Sequence, residues 1–125
     1  MLDAWPAPGS TTTLDALSNG VPVLSMVGDG NVGALYARSI LQAVGLAELA
    51  TDSPDEFVDR ALALAGDLGA LNALRARVRP GFEASPIRDE AGFTRNLEAA
   101  FGRMFAHWRE QAPERIAARL AAGPA

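Results

Sequence analysis

Residues 8–17, which read PGSTTTLDAL, and residues 20–24, which read GVPVL, form the stretch of this sequence that decides the fold. The first run begins with small residues that favour a loop and continues with hydroxyl and apolar residues typical of a helix start. The second run has the length and apolar character of a buried strand. This order of loop, helix and strand leaves free backbone N–H groups in front of a bound phosphate.

The start of this helix is a candidate anion or nucleotide site formed by Gly9, Ser10, Thr11, Thr12 and Asp15. The first four N–H groups of a helix have no partner within it, and the peptide dipoles place partial positive charge there. Gly9 allows close approach of backbone and ligand, and the hydroxyls add donors beside the amides. Asp15 follows one turn later, where its carboxylate can accept hydrogen bonds from ribose hydroxyls.

An alternative interpretation of the same residues needs no ligand. A Ser or Thr side chain at the helix start commonly caps the first N–H groups, and a carboxylate in the first turn interacts favourably with the dipole. In that case the chain is an unrelated helical α/β domain, and the run of hydroxyls has no role in binding.

The composition favours a single globular domain and excludes several kinds of site. The chain has 125 residues, of which 49% are hydrophobic, and its net charge is −4. An acidic chain lacks the clustered positive charge of a nucleic-acid surface. It contains no cysteine, no lysine and a single histidine, His107. We therefore expect no metal centre, no P-loop lysine, no Schiff base and no bound cofactor.

The sequence also predicts the cellular location of the protein. No apolar run reaches the roughly 18 residues of a membrane span, and no signal peptide opens the chain. We therefore expect a cytoplasmic protein that has no membrane partner.

The first third of the chain predicts short parallel strands. Residues 1–5 read as a strand, and the following helix is predicted over 12–19, ending at Gly20. Residues 21–26 read as a second strand, and the order strand, helix, strand implies a parallel connection. A second glycine loop, residues 27–31, follows that strand. Both loops are expected at one edge of the sheet, where they would form a crevice.

From Ser53 onward the pattern predicts helices only. The run Ser53-Pro54-Asp55-Glu56 combines an N-cap, a proline at the first helical position and a glutamate at N3, which indicates a helix start. The next helix is predicted over 68–78 and closed by Pro80-Gly81, and Ser85-Pro86 makes the next break.

A ridge of large apolar side chains follows that break, at steps of three and four residues along one long helix. We expect this ridge to pack in a core rather than to bind a cofactor. The chain beyond Pro113 is predicted as a short helix that frays towards the end. The ridge consists of Phe93, Leu97, Phe101, Met104, Phe105 and Trp108.

Taken together, these residues resemble the protein O-GlcNAc transferase family, the SPINDLY-like glycosyltransferases. The family's run L-D-x-x-P-x-x-G-x-T-T-x-x-D-A-L-x-x-G-V-P-V is similar to residues 2–23 of this chain. The resemblance covers residues 1–108, and the order and spacing of its parts make it more specific than the threonine pair alone. Further similarity lies at residues 39–41, 45–49, 74–77 and 85–86 and in the aromatic spacing of 93–108.

The resemblance implies an α/β, partial Rossmann-like fold: short parallel strands followed by a helical C-terminal half. Residues 1–112 would be the second half of the C-terminal, sugar-nucleotide-binding lobe of a GT-B glycosyltransferase, and residues 113–125 a helical or frayed tail. In the family the threonine pair contacts the UDP diphosphate and the aspartate holds the ribose, roles that fall here on Thr11, Thr12 and Asp15. The implied substrate is a UDP-sugar, UDP-GlcNAc, used without a metal.

The chain departs from the family pattern in three places. Ser10 stands where the family often has His or Gly. The second glycine loop is about one residue longer than the family's G-E-T-x-A-S-R run and lacks its arginine. The lysine that neutralises the leaving diphosphate, and the acceptor groove of the other lobe, belong to parts of the family that would precede Met1. We therefore expect a chain that begins inside a domain and that carries no catalytic residue.

Two consequences follow for activity and partners. Without the lysine and the other lobe, the chain is expected to be inactive alone, because nothing stabilises the leaving group or positions the attacking hydroxyl of a protein acceptor. An alternative is a non-catalytic nucleotide-binding or interaction module that has kept the fold. Met104, Phe105 and Trp108 are expected to be exposed, so the helix Phe101–Trp108 would contact a second copy of the chain or the missing N-terminal lobe.

Overall fold

The computed structural model describes residues 1–28 and 32–121, and it is mostly helical. Six α-helices and two short strands follow one another in these residues, together with 3-10 turns at Ala47–Leu49 and Pro86–Arg88. The helices are α1 (Thr11–Ser18), α2 (Val32–Ala43), α3 (Pro54–Gly66), α4 (Leu68–Glu83), α5 (Glu90–Glu110) and α6 (Ala112–Ala121), and the strands are β1 (Ser25–Met26) and β2 (Ala50–Thr51).

The two strands form a small parallel sheet in which Ser25 pairs with Ala50 and Met26 with Thr51. A third segment joins it through a single parallel bridge between Leu2 and Leu24. The parallel arrangement predicted for the first and second strands is therefore confirmed, although both are shorter than expected. No strand was predicted at β2, because two residues are too few to show a periodicity.

The core lies between this sheet, α1, α2 and α4. Buried apolar side chains of these helices and of the segments next to the strands pack against one another, and Phe57, Ala61 and Leu64 of α3 cover them partly. Close packing of this kind fixes the position of α1 relative to the strands. The buried members are Leu17, Val23, Leu24, Leu41, Val44, Leu46, Leu49, Leu74, Val78 and Phe82.

Helix α1 begins and ends within one residue of its predicted bounds. Gly20 follows it with φ of +72°, a left-handed conformation that glycine adopts without strain. The backbone N–H of Gly20 donates to the carbonyl of Leu17, and that of Val21 donates to Ala16. These bonds satisfy the last carbonyls of the helix and turn the chain into the buried segment that leads to β1.

Helix α3 begins as its sequence predicts. The Ser53 hydroxyl accepts a hydrogen bond from the Glu56 N–H at 3.2 Å. The Glu56 carboxylate in turn accepts from the N–H of Asp52 at 2.9 Å. The two side chains satisfy backbone donors on either side of the helix start, which resembles a capping box displaced by one residue.

The prediction that Pro80-Gly81 ends helix α4 is wrong. The helix continues through Pro80 to Glu83, because Val78 and Phe82 are both buried and lie one turn apart on the face that meets the core. Burial of these side chains outweighs the single hydrogen bond that the proline removes. Gly81 has a packing role instead, since a Cβ atom there would lie 2.6 Å from the carbonyl oxygen of Val44.

The chain divides into two compact units, Met1–Arg88 and Asp89–Ala125. In the second unit, α5 begins at Glu90, after the predicted break at Ser85-Pro86, and Gly92 is its one buried residue among those described. The prediction that the ridge packs in a core is wrong, whereas the expected exposure of Met104, Phe105 and Trp108 is confirmed. All six ridge side chains have exposed fractions between 40% and 66%.

Contacts within the second unit join the end of α5 to α6. The rings of Phe105 and Trp108 stack with centroids 5.9 Å apart and an interplanar angle of 17°. The Arg115 guanidinium lies 4.9 Å from the Trp108 ring centroid and donates to the Trp108 carbonyl at 3.0 Å. A cation over an indole face is a favourable arrangement, and here it fixes the turn between the two helices.

Candidate functional site

The N-terminus of α1 is exposed and carries free backbone donors. The first helical bond runs from the Leu14 N–H to the Ser10 carbonyl at 3.0 Å. Within residues 1–28 and 32–121, the N–H groups of Thr11 and Thr12 make no hydrogen bond, and both side chains are exposed. These amides therefore remain available to an external acceptor.

The serine at the helix start does not cap it. Ser10 occupies the N-cap position, but its side chain makes no capping hydrogen bond. The third hydroxyl of the run faces the other way: Thr13 is fully buried, and its Oγ1 donates to the Gly9 carbonyl at 3.0 Å. The four hydroxyl residues therefore differ in their contacts. Thr13 connects the helix to the loop through a hydrogen bond, whereas Ser10, Thr11 and Thr12 are exposed at the surface.

Asp15 lies one turn further along α1 and is also exposed. Its backbone carbonyl accepts from the Ser18 hydroxyl at 2.9 Å and from the Asn19 side-chain amide at 2.8 Å. Its carboxylate has no hydrogen-bond or ion-pair partner in the part of the chain that the structure describes. Since Asp15 follows Thr11 by four residues and Thr12 by three, the three side chains share one face of the helix.

Asp3, which the sequence analysis matched to the family's run without giving it a role, holds the loop that leads into α1. Its Oδ1 accepts from the N–H groups of Ala4 and Gly9, each at 2.9 Å. Its Oδ2 accepts from the Ser25 hydroxyl, also at 2.9 Å. A strand residue followed by a Pro-rich turn was the available signal, because such turns have few N–H donors and commonly use a carboxylate as acceptor.

Neighbouring side chains leave no room for a side chain at Gly9. A Cβ atom at this position would overlap the Thr12 hydroxyl and would lie 2.9 Å from Thr13 Oγ1 and 3.2 Å from Asp3 Oδ1. The absence of a side chain lets the loop, the helix start and the carboxylate meet at one point. The five predicted site residues, Gly9, Ser10, Thr11, Thr12 and Asp15, thus lie next to one another in the loop end and first turns of α1.

Residues 29–31 of the predicted second glycine loop lie outside the described residues.

Two other features bear on possible chemistry. A cavity of about 420 Å³ in the first unit is lined by apolar side chains such as Leu2, Leu24, Leu49 and Leu62, which offer no groups for catalysis. Among the described residues, no three His, Asp or Glu side chains are grouped so that they could hold a metal ion. In the same part of the chain, no helix has the length and apolar character needed to span a bilayer.

Comparison with known proteins gives one family. Residues 1–97 match the family described as glycosyl transferase family 41. The chain is 40% identical over 111 residues to a probable UDP-N-acetylglucosamine–peptide N-acetylglucosaminyltransferase SPINDLY from Solanum lycopersicum, covering 86% of this chain and 11% of that protein. Its identity to the protein of the same description from Hordeum vulgare is 42% over 107 residues, with coverage of 83% and 11%.

A solved structure has the same fold over most of the chain. A mutant O-GlcNAc transferase from Thermobaculum terrenum matches with a TM-score of 0.71 and 39% sequence identity, covering 82% of this chain and 20% of that one. The chain thus spans about a tenth of the length of the curated relatives it matches and a fifth of the solved structure.

Proposed function

This chain belongs to glycosyl transferase family 41, and we propose that it forms the part of an O-GlcNAc transferase-like enzyme that binds the donor UDP-GlcNAc. The observation that carries the proposal is the exposed start of α1, where the N–H groups of Thr11 and Thr12 have no acceptor among the described residues. The diphosphate would accept hydrogen bonds from these amides and from the threonine hydroxyls. Its negative charge would be stabilised by the helix dipole.

Asp15 would hold the ribose. Its exposed carboxylate lies on the same face of α1 as Thr11 and Thr12, one turn away. A carboxylate has only acceptor sites at neutral pH, which suits the two ribose hydroxyls and does not suit a phosphate. Gly9 and Ser10 complete the proposed site. Gly9 lets the loop and the start of α1 pack closely together, and Ser10 offers an exposed hydroxyl.

We also propose that residues 1–112 correspond to the second half of a GT-B donor-binding lobe, with residues 113–125 as a tail. The parallel β1–β2 pair, with α1 preceding it and the open helix start beside it, supports this assignment. In open parallel α/β folds, ligands commonly bind beside the carboxyl ends of the strands, next to helix N-termini.

The chain by itself is proposed to be inactive in sugar transfer. It contains no lysine that could neutralise the leaving diphosphate, and one such group contributes about 100- to 1,000-fold to the rate in comparable sites. The same observation favours a second candidate function, a nucleotide-binding or interaction module without catalysis. Incubation of the full chain with UDP-GlcNAc and a peptide acceptor should give no glycosylated peptide by mass spectrometry. Transfer by the chain alone would contradict the proposed inactivity.

Nucleotide binding is the central test. Isothermal titration of the full chain with UDP and UDP-GlcNAc should detect binding, and GDP should bind more weakly. Thr12→Val removes one hydroxyl donor and Asp15→Ala removes the ribose acceptor, so each should weaken UDP binding by about tenfold.

Two variants elsewhere serve as matched controls. Thr94→Val removes an exposed hydroxyl near the start of α5, where it bonds only to the Glu90 carbonyl, and Asp59→Ala removes an exposed carboxylate on α3. Neither should change the affinity for UDP. Absence of UDP binding by the unmodified chain, or equal losses in the site variants and their controls, would contradict the proposed donor site.

The partner of α5 stays a prediction with two alternatives, a second copy of the chain or the first lobe of the enzyme. Sedimentation velocity of the full chain distinguishes them. A dimer that dissociates when Met104 is replaced by Glu would support self-association through the exposed ridge. A monomer at all concentrations would contradict it.

A further inference from the structure

We propose that Asp3 is a positioning residue for the donor site: its carboxylate fixes the start of α1 to the sheet, so that the free amides of Thr11 and Thr12 present one defined arrangement. The inference rests on the proposed function, because it assumes that this helix start binds the diphosphate. It concerns a residue that makes no contact with the ligand and acts through the loop between the first bridge and the helix.

The carboxylate joins three separate parts of the first unit. Oδ1 accepts from Ala4 N–H within its own turn and from Gly9 N–H at the far end of the loop, both at 2.9 Å. Oδ2 accepts from the Ser25 hydroxyl on β1 at 2.9 Å. Hydrogen bonds to a charged acceptor are stronger than neutral ones, so these three contacts constrain the loop firmly.

The same contacts form part of a longer chain of hydrogen bonds through the unit. On one side, the Thr51 hydroxyl of β2 donates to the Ser25 carbonyl at 3.3 Å. On the other side, the Thr13 hydroxyl of α1 donates to the Gly9 carbonyl at 3.0 Å. Ser25, Thr13 and Thr51 are fully buried, and each has its partner. A buried polar network in which every member is satisfied specifies a single arrangement of the elements it joins.

Two prolines reduce the number of backbone donors in the loop. Pro6 and Pro8 have no backbone N–H and so cannot donate a hydrogen bond. The N–H of Gly9, directly after Pro8, donates to Asp3 Oδ1 at 2.9 Å and ties the end of this turn to the residue that precedes it. Since Gly9 lies two residues before α1, a displacement of this bond would be transmitted directly to the N–H groups of the first helical turn.

The role of the carboxylate can be separated from its charge. In Asp3→Asn, the amide oxygen can still accept from Ala4 and Gly9, and the amide nitrogen can donate to the Ser25 hydroxyl. The geometry is retained while a negative charge beside the proposed anion site is removed. In Asp3→Ala, both the charge and the three contacts are lost. A role in positioning predicts that these two variants differ strongly.

The test measures affinity and stability of the full chain in three variants. Asp3→Ala should raise the Kd for UDP by about tenfold, whereas Asp3→Asn should bind UDP as tightly as the unmodified chain or more tightly. Val78→Ala, which removes a fully buried apolar side chain from the core and none of the Asp3 hydrogen bonds, should lower the midpoint of urea unfolding without changing that Kd. The ratio of the Kd for UMP to that for UDP should fall in Asp3→Ala, because the diphosphate contacts are the ones displaced.

The possible results separate this inference from the proposed function. If the unmodified chain binds UDP and Asp3→Ala binds it equally well, the positioning role is wrong and the donor site stands. If Val78→Ala weakens UDP binding as much as Asp3→Ala does at equal loss of stability, the effect is one of general stability and the inference is wrong. If the unmodified chain binds no UDP, the proposed function itself fails, and the inference fails with it.

Discussion

Helices α4 and α5 carry large apolar residues at the same three- and four-residue spacing, yet one is buried and the other is not. In the first unit, Leu74, Val78 and Phe82 of α4 lie in the core, and Phe82 is 7% exposed. In the second unit, Phe101 of α5 is 58% exposed, as are its neighbours on the ridge to a similar degree. Periodicity thus identifies the apolar face of a helix, but it does not reveal whether another element covers that face.

The sharpest test of this contrast replaces one phenylalanine in each helix. Phe82→Ala removes a buried ring and leaves a cavity, so it should lower the free energy of unfolding by about 3–5 kcal/mol. Phe101→Ala removes an exposed ring and should change it by less than about 0.5 kcal/mol. Urea unfolding of the full chain, followed by circular dichroism at low protein concentration, measures both.

The protein concentration can also be varied in this experiment. If Phe101→Ala becomes destabilising only at high concentration, a second chain covers the ridge, and the contrast between α4 and α5 would then hold for the monomer alone. A large loss in Phe101→Ala at every concentration would contradict the exposure of α5.

A pair of glycines compares the two helices at the level of the backbone. Gly81→Ala in α4 would place a Cβ atom 2.6 Å from the Val44 carbonyl oxygen and should destabilise the chain by about 1–3 kcal/mol. Gly102→Ala in α5 meets no atom within 4 Å among the described residues and should stabilise its helix by about 0.5–1 kcal/mol. Thermal unfolding measures the sign of both changes, and a gain in stability in Gly81→Ala would show that α4 can move away from Val44 without cost.

The smallest expected effects come from the helix caps. Ser53→Ala removes the bond to the Glu56 N–H at the start of α3, and Asp89→Ala removes the bond to the Gly92 N–H at the start of α5. Each cap contributes about 1 kcal/mol to its helix. Because α3 packs partly against the core, Ser53→Ala should lower the urea midpoint of the first unit.

Asp89→Ala should instead increase amide exchange in the first turns of α5 and leave that midpoint unchanged. Hydrogen exchange measured residue by residue distinguishes the two responses. If both variants lower the urea midpoint of one global transition equally, the two units unfold together. The units would then differ in the burial of their apolar faces but not in their stability.

Features that depend on a few neighbouring residues could be predicted from the sequence. The start of α3 at Ser53-Pro54 and the end of α1 at Gly20 agree with prediction because their determinants are a side-chain cap and a left-handed glycine. The start of α1 lies one residue from its predicted position, and Thr11 and Thr12 there are exposed, while their role in binding stays a prediction. The family was recognised from the order and spacing of these local features along residues 2–23.

Features that depend on distant residues could not be predicted. Strand β2 has two residues and exists because Ala50 and Thr51 lie beside β1. Pro80 was expected to end a helix, but the burial of Val78 and Phe82 continues it. Asp3 is part of the family's run, but its bond to β1 was not predicted, because its partner Ser25 is 22 residues away.

The amino-acid sequence by itself determined both ends of α1, the start of α3 and the side-chain chemistry offered at the start of α1. Hydrogen bonds between near neighbours and the permitted backbone angles of proline and glycine decide these features. Only the tertiary structure decided which apolar faces are buried, which glycine is irreplaceable and which carboxylate fastens the proposed donor site to the sheet. Each of these depends on atoms that folding brings together from remote positions, and their contacts arise only when the entropy of closing the intervening chain has been offset by burial of the core.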